Sequence, residues 1–187
     1  MKTEIKNVKG RLTTRDITII GVMAALVFAG TYFFKIPAPL TMGYTHLGDC
    51  MIFLTVYLFG WKRGALAGAI GGTLSDVLGG FVVWIVPTFF IKMLMAMVAG
   101  ILFDKLVSKG KYFFLLTFTL GGMLQIVLYA LTDVLYFGLP AALGGVPGLT
   151  VQSSCGVVIA CVIIIYMEKS HVTDRIKQMG IMGEIRG

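Results

Sequence analysis

Charged residues are scarce in this sequence. Only 13% of its 187 residues are Asp, Glu, Lys or Arg, whereas 57% are hydrophobic, and the mean hydropathy is +0.90. Soluble domains carry about 25% charged residues, so this composition indicates an integral membrane protein. A membrane-spanning helix takes about 20 residues, which leaves room for about six spans and none for an internal nucleotide-binding domain.

Cysteine and histidine are also rare, with three and two copies. Cys50, Cys155 and Cys161 lie in apolar surroundings without C-x-x-C spacing, so we expect buried thiols and no disulfide. His46 is the single histidine inside the apolar region, which argues against a metal site. No nucleophile motif surrounds Ser75 or any other serine, so the sequence predicts neither an enzyme nor a cofactor.

Six apolar segments are separated by charged residues or by Gly and Pro. They cover residues 17–34, 42–61, 64–83, 85–103, 112–137 and 149–167. The first exceeds the 7–15 residues of a signal-peptide core, so we expect it to be retained as a span. The prediction is an all-α protein with one membrane domain over residues 1–187. Its parts are an N-terminal segment 1–16, a six-helix bundle 17–167 and a tail 168–187.

Lysine and arginine concentrate on one side of these segments. Of the 16, 14 lie in the N-terminal segment, in the links between segments 2 and 3 and between segments 4 and 5, or in the tail. Lys35 lies on the opposite side, and Lys92 is embedded. The positive-inside rule therefore predicts cytoplasmic N and C termini. It also accounts for the net charge of +7 without nucleic acid, although the basic ends are placed to touch anionic lipid.

Ionisable residues inside the segments all lie towards the outer ends. At 1.5 Å per residue, Asp49, Asp76 and Lys92 are each about 10 Å below the outer surface, and Asp133 is about 6 Å below it. Buried charge is costly, so each is a candidate for function. This distribution predicts a polar pocket that opens to the outside above an apolar floor.

These buried charges have two interpretations. Lys92 can pair with Asp76 or Asp49 only to neutralise itself and to hold helices together. Alternatively, the three side chains orient a small polar ligand, directly or from behind the contacting residues. Both interpretations can hold at once.

One face of the fifth segment is the better candidate for direct ligand contact. It carries polar and aromatic residues at i, i+4, i+8 and i+11, namely Gln125, Tyr129, Asp133 and Tyr136. Uncharged outer links at residues 79–84 and 138–148 either close over an aromatic ligand or belong to an ordinary aromatic belt. The predicted substrate-binding set is Trp84, Phe89, Lys92, Gln125, Tyr129, Asp133, Tyr136, Gln152 and His46, with Asp49 and Asp76 as pocket or supporting ion pairs.

Small residues recur every four positions in the first and third segments. The stripes are Gly21, Ala25 and Ala29 in the first, and Gly64, Gly68 and Gly72 in the third. This spacing lets another helix approach closely. We expect the third segment to pack inside the bundle, while the first faces either the bundle or a partner membrane subunit.

An ordered run of motifs spans the second to fourth segments. It consists of His46-Leu47-Gly48-Asp49, Gly60-x-x-x-Gly64-Ala65, Gly68-x-x-Gly71-Gly72-x-Leu74-x-Asp76-x-x-Gly79-Gly80 and Pro87-Thr88-x-x-x-Lys92. With this run the sequence resembles the substrate-binding S components of energy-coupling factor (ECF) vitamin transporters. The resemblance is to the branch with riboflavin-type and hydroxymethylpyrimidine- or pyridoxine-type members. It is dense between residues 24 and 100 and weak afterwards.

The resemblance implies a six-helix S component that captures a vitamin outside a bacterial plasma membrane. Such proteins work with a transmembrane T component and two cytoplasmic ATPases and have no ATPase activity themselves. The resemblance also implies that Ala25 and Ala29 form the A-x-x-x-A docking motif and that residues 35–44 form a lid. In the family's transport scheme, the S component topples within the membrane to release its ligand inside.

The vitamin and two other function classes stay open at this point. The aromatic and polar residues fit pyridoxine or hydroxymethylpyrimidine, and riboflavin less well. A stand-alone proton-coupled secondary transporter would use Asp49, Asp76 and Asp133 as proton sites. An intramembrane enzyme would depend on His46 or Ser75.

Overall fold

The computed structural model describes residues 12–38, 41–110 and 112–178. Within these ranges the chain is mostly helical, with one small hairpin. In chain order the elements are α1 (Thr14–Tyr32), β1 (Ile36–Ala38), β2 (Gly43–Thr45), α2 (Asp49–Phe59), α3 (Trp61–Gly79), α4 (Ile85–Leu106), α5 (Phe113–Phe137), α6 (Leu139–Lys169) and α7 (Val172–Gln178). Short 3-10 turns at Val82–Trp84 and Val107–Lys109 lead into α4 and out of it.

Four helices in the described ranges are long and apolar enough to cross a membrane. They are Thr14–Tyr32, Val82–Leu106, Phe113–Phe137 and Leu139–Lys169. The predicted class, a helical membrane protein, is therefore confirmed. Helix α2 is apolar but has only 11 residues, and α3 is as long as α1 but rich in glycine. The count of six spans stays a prediction.

The predicted inner ends of α1 and α3 are joined by an ion pair. A capping box starts α1, in which the Thr13 hydroxyl accepts a hydrogen bond from the Asp16 N–H and Asp16 Oδ2 accepts one from the Thr13 N–H. Arg63 Nε donates to Asp16 Oδ1 at 2.7 Å. The same carboxylate thus begins one helix and binds the start of another.

Helix α3 packs tightly on its neighbours through glycine. A Cβ added at Gly71 would lie 2.8 Å from Val27 Cβ of α1, and one at Gly68 would lie 3.0 Å from Ile52 Cδ1 of α2. The small-residue stripe of this helix, Gly64, Gly68 and Gly72, is buried as predicted. Any larger side chain would push these helices apart.

The half of the bundle away from the hairpin has an aromatic core. Phe53 of α2 stacks on Phe118 of α5 with ring centroids 4.8 Å apart, and Phe103 of α4 packs beside them. All three are fully buried. At the end of this core, the Tyr57 hydroxyl donates to Glu168 Oε1 at 2.5 Å and ties α2 to α6. These rings form an apolar floor of the kind the sequence predicts.

The second segment begins differently from the prediction. Residues 42–48, expected as its first helical turns, form β2 and a loop, and α2 starts only at Asp49. Strand β1 pairs antiparallel with β2, with Ile36 opposite Thr45. Met42 adopts a positive φ of 49°, which a helix does not allow. The prediction fails here because hydropathy alone does not distinguish a short strand from a helical turn.

The outer link at residues 138–148 is also different. It is not a loop, because α6 begins at Leu139 and runs through it. Pro140 sits in the first turn, where its fixed φ favours a helix and its missing N–H costs nothing. Gly145 and Gly148 lie against the hairpin, so their role is close approach. A Cβ at Gly148 would lie 3.0 Å from Thr45 Oγ1.

Candidate ligand-binding site

A cavity lies at the end of the bundle where the hairpin covers the helices. Its volume is about 50 Å³, and its walls come from the hairpin and from α3, the turn before α4, α4, α5 and α6. Five of the nine predicted substrate-binding residues line it, namely His46, Trp84, Tyr129, Asp133 and Gln152. Asp76, predicted as part of an ion pair, lines it as well.

Asp133 offers the cavity a hydrogen-bond acceptor. Its side chain is 2% exposed, and Oδ1 is buried without a hydrogen-bond partner in the part of the chain that the structure describes. Gly145 of α6 leaves room beside it, because a Cβ there would lie 3.1 Å from Asp133 Oδ2. An unsatisfied buried carboxylate oxygen costs free energy unless a ligand donates to it.

Tyr44 fastens the hairpin to α3 at the cavity wall. Its hydroxyl lies 2.5 Å from Asp76 Oδ1 and 3.2 Å from Ser75 Oγ. Burial, followed by the nearby charge of Asp76, raises the pKa of Tyr44 well above its usual value. The phenol therefore stays protonated and donates to the carboxylate.

Two aromatic side chains form the flat part of the wall. Trp84 and Tyr129 have ring centroids 5.6 Å apart at an interplanar angle of 58°. Trp84 Nε1 donates to the Thr41 carbonyl at 3.2 Å, and the Tyr129 hydroxyl donates to Thr88 Oγ1 at 3.2 Å. Because their polar atoms are bonded within the protein, their ring faces are held in place to pack against a flat ligand.

A fully buried ionic cluster lies beside the cavity. Lys92 Nζ is 2.5 Å from Asp49 Oδ1 and donates to Gln125 Oε1 at 2.7 Å. Gln125 Nε2 completes the triangle by donating to Asp49 Oδ2 at 2.7 Å. Lys92 thus pairs with Asp49, one of the two partners the sequence allowed. None of the three lines the cavity, although Lys92 and Gln125 were predicted to contact ligand.

Gln152 connects this cluster to the cavity. Its Nε2 donates to Asp49 Oδ2 at 3.1 Å, and its Oε1 accepts from the His46 backbone N–H at 3.3 Å. The Gly48 N–H donates to His46 Nδ1 at 3.1 Å. His46 lies in the loop before α2, where burial and then the charge of Lys92 lower its pKa to about 3. The ring is neutral, and with Nδ1 as acceptor its proton is on Nε2.

The other predicted contacts lie outside the cavity lining. Tyr136 is half exposed and packs on Trp84 with centroids 6.3 Å apart, while Phe89 packs edge-on against Phe90. Thr41 and Tyr44 line the cavity but were missing from the predicted set of residues. The signal that pointed to them was the lid at residues 35–44 that the resemblance implies.

The small-residue stripe of α1 lies on the bundle surface. Gly21 and Ala25 are exposed and Ala29 is half-buried, whereas Ala24 and Val27 on the opposite side face the core. A Cβ added at Gly21 would meet no atom within 4 Å. The stripe therefore faces away from the bundle, while its contact with a partner subunit stays a prediction.

The described residues offer neither a metal site nor a disulfide. In the described ranges, no group of three or more His, Cys, Asp or Glu side chains is placed to hold a metal ion. Cys50, Cys155 and Cys161 are all free thiols.

Residues 11–169 match the family described as "ECF-type riboflavin transporter, S component". The chain is also 31% identical over 129 residues to a protein of Pyrococcus woesei named "Uncharacterized protein in gap 3'region". That alignment covers 69% of this chain and 85% of the relative.

Proposed function

Since the chain belongs to the family of ECF-type riboflavin transporter S components, we propose that it captures a small single-ring vitamin, pyridoxine or hydroxymethylpyrimidine, outside a bacterial plasma membrane. Its family consists of transporter subunits, which are not enzymes, and their function is to bind a vitamin. ECF S components work with T and ATPase modules. The vitamin's identity, the partners of this chain and the site residues belong to the proposal.

The observation that carries the proposal is the unsatisfied oxygen of Asp133 in a cavity with an aromatic wall. Trp84 and Tyr129 are placed to pack against a flat heteroaromatic ring, while Asp133 Oδ1 accepts from its hydroxyl or amino group. Gln152 and His46 supply further polar edges. Lys92, Gln125 and Asp49 do not contact the ligand and instead hold Gln152 in position.

The size of the cavity favours a single ring over riboflavin. About 50 Å³ is far below the roughly 300–1,000 Å³ of pockets for drug-sized ligands. The hairpin must therefore move outward for any vitamin, and the displacement grows with ligand size. Riboflavin is the second candidate because the family description names it; its three fused rings require the largest displacement.

The proposed topology has six spans with both termini inside. The joined ends of α1 and α3, together with Tyr57 and Glu168, lie at the end of the bundle with the basic links, and the hairpin and cavity lie at the other. Helices α2 and α3 then supply the second and third spans of one membrane domain. The cavity opens outward in this arrangement, above the aromatic floor.

The proposed docking surface for the T component is the exposed face of α1 that carries Gly21, Ala25 and Ala29. Two ATPase subunits complete the assembly on the inner side. Buried Phe53, Phe103 and Phe118 close the half of the bundle away from the cavity, so the residues that the structure describes give a bound ligand an apolar floor. Delivery therefore depends on movement of the whole subunit within an assembly.

The experiment that tests the function is thermal unfolding of the purified protein in detergent with single vitamins. A ligand that binds only the folded state, present at a concentration of 100 times its Kd, adds about 2.7 kcal/mol of stability. We expect a higher melting temperature with pyridoxine or hydroxymethylpyrimidine, and mass spectrometry of the same sample identifies any vitamin that co-purifies. A shift with riboflavin alone would assign the second candidate. Uptake by the protein alone in liposomes, driven by a proton gradient, would contradict the proposal and indicate a secondary transporter.

A further inference from the structure

The charge of the cavity lining has one sign. Asp76 and Asp133 contribute carboxylates, and none of the described lining residues is Lys or Arg. His46 is the single lining residue able to gain a positive charge, and burial keeps it neutral at physiological pH. The remaining lining groups are hydroxyl, amide, aromatic and aliphatic.

The ammonium groups of Lys35 and Lys92 lie near the cavity but already contact other groups of the protein. Lys92 is fully buried and bonded to Asp49 and Gln125. Lys35 Nζ donates to the Ser75 carbonyl at 3.2 Å and lies 4.3 and 4.6 Å from the ring centroids of Tyr32 and Tyr44. Neither lysine lines the cavity, so an anionic ligand group would meet carboxylates without a cation to pair with.

A phosphate ester fits such a site poorly. Its phosphate carries about −1.5 to −2 charges and three strong acceptor oxygens. Protein phosphate sites supply Arg, Lys or clustered backbone N–H groups to match them. A phosphate bound in this cavity would face the carboxylates of Asp76 and Asp133, and like charges within an interface disfavour binding strongly. A hydroxyl or amino donor on the ligand instead satisfies Asp133 Oδ1.

We infer that this site selects the unphosphorylated form of its vitamin and rejects the phosphate ester, with Asp133 as the main residue that discriminates. The inference rests on the proposed function and specifies the chemical class of its ligand. It holds for pyridoxine, hydroxymethylpyrimidine or riboflavin, because each carries hydroxyl groups that become anionic acceptors on phosphorylation. Asp133 has two effects: it accepts a hydrogen bond from the parent compound and repels its ester.

The test compares each parent vitamin with its monophosphate. Purified protein is titrated calorimetrically with pyridoxine and pyridoxine 5′-phosphate, with hydroxymethylpyrimidine and its monophosphate, and with riboflavin and riboflavin 5′-phosphate. For whichever parent binds, we expect the ester to bind at least about tenfold more weakly. Equal affinities within the pair would overturn the inference while leaving the proposed function intact. Binding of no parent would contradict the proposed function, and the inference with it.

The matched variants are Asp133→Asn and Asp174→Asn. The first removes the carboxylate charge from the cavity with little change of shape. The second removes the same charge from an exposed side chain in α7, beyond the opposite end of α6. We expect Asp133→Asn to weaken binding of the parent vitamin and to reduce the ratio of ester to parent dissociation constants several-fold. Asp174→Asn should leave both unchanged.

The ratio of ester to parent dissociation constants is measured on the wild-type protein. It therefore tests the predicted selectivity even if Asp133→Asn folds poorly. An unchanged ratio in a folded Asp133→Asn protein, judged by its melting temperature without ligand, would overturn the assignment to Asp133. Asp76→Asn provides a second charge removal at the wall. If it narrows the ratio and Asp133→Asn does not, discrimination lies at Asp76 and the assignment to Asp133 is wrong.

Discussion

At the residue scale, the ionic cluster explains why charges so deep in an apolar bundle are tolerated. Asp49 accepts hydrogen bonds from Lys92, Gln125 and Gln152, which leaves neither carboxylate oxygen without a partner. A buried pair of this kind gives little net stability over apolar residues of the same shape, but loss of one partner leaves an uncompensated charge. The cluster therefore fixes the relative positions of α2, α4, α5 and α6.

Lys92→Met should destabilise the protein strongly, by about 3–5 kcal/mol, because it leaves Asp49 buried and unpaired. The double variant Asp49→Asn with Lys92→Met should recover part of that loss, since it removes both charges. Thermal unfolding in detergent measures both effects. Lys105→Met, at an exposed position near the end of α4, is the control and should change the melting temperature little. A single Lys92→Met variant as stable as wild type would contradict the assigned pairing.

Acid should destabilise the protein through His46. Its pKa is about 3 when folded against 6.5 unfolded, so below pH 6.5 the unfolded state binds the extra proton. The stability that this residue contributes is thus fully present above pH 6.5 and is lost as pH falls from 6.5 towards 3. We expect the melting temperature to fall between pH 7 and pH 5. His46→Asn, with an amide oxygen near the position of Nδ1, should make that fall shallower. An equal slope in the variant would assign the acid effect to other groups.

Sequence periodicity predicted part of the cavity lining, and the reason is geometric. Tyr129 and Asp133 recur on one helical face, and they line the cavity. Gln125 lies on the same face two turns deeper and bonds Lys92 instead, because periodicity identifies a face without stating where the cavity ends. Tyr44 was not singled out, since its position depends on a hairpin that only contacts with α3 hold in place.

At the scale of elements, apolar runs located the long helices well and their junctions poorly. Helices α4 and α5 begin within one residue of the predicted starts. The failures at residues 42–48 and 138–148 have opposite causes. The first run is apolar but folds as a strand and loop. The other run has the glycine content of a loop but is helical. Its Gly145 and Gly148 allow close contact with the cavity wall and the hairpin, so here glycine marks packing and not a loop.

The hairpin is held to the end of α3 by Lys35. Its ammonium group caps α3 at the Ser75 carbonyl and lies within 5.1 Å of the centroids of three rings, those of Tyr32, Tyr44 and Phe81. A cation near a helix C terminus is favourable, and contacts of a cation with a ring face are worth about 0.5–1 kcal/mol at exposed sites. Burial lowers the pKa of Lys35, with Asp76 acting in the opposite direction.

Lys35→Met should therefore loosen the hairpin and speed ligand dissociation several-fold without removing a ligand contact. Hydrogen exchange of the amides of residues 36, 38 and 41–45 should rise in parallel. Lys35→Arg keeps the charge and the ring contacts and is expected to behave like wild type. Unaltered exchange and dissociation in Lys35→Met would show that Tyr44 and Trp84 hold the hairpin without this lysine.

At the scale of the whole molecule, polar and apolar regions are separated along the bundle. The cavity and ionic cluster occupy one half, and the stacked Phe53 and Phe118 occupy the other. A protein that carried its ligand along an internal path would need polar groups in both halves. This separation suits a subunit that binds its ligand on one side and relies on partners for delivery. The exposed face of α1 is therefore the surface on which to test partner docking.

Replacing both Ala25 and Ala29 with Trp should abolish assembly with the T component while leaving ligand binding intact. The expected cause is steric, because two indole rings on a small-residue face keep a partner helix from close approach. Val158→Trp places an equally large side chain on an exposed position of α6 and serves as the control. Co-purification with the T component and vitamin uptake measure assembly, and calorimetric titration measures binding. Normal assembly of the double variant would contradict the docking surface, whereas loss of ligand binding would show that α1 also shapes the cavity.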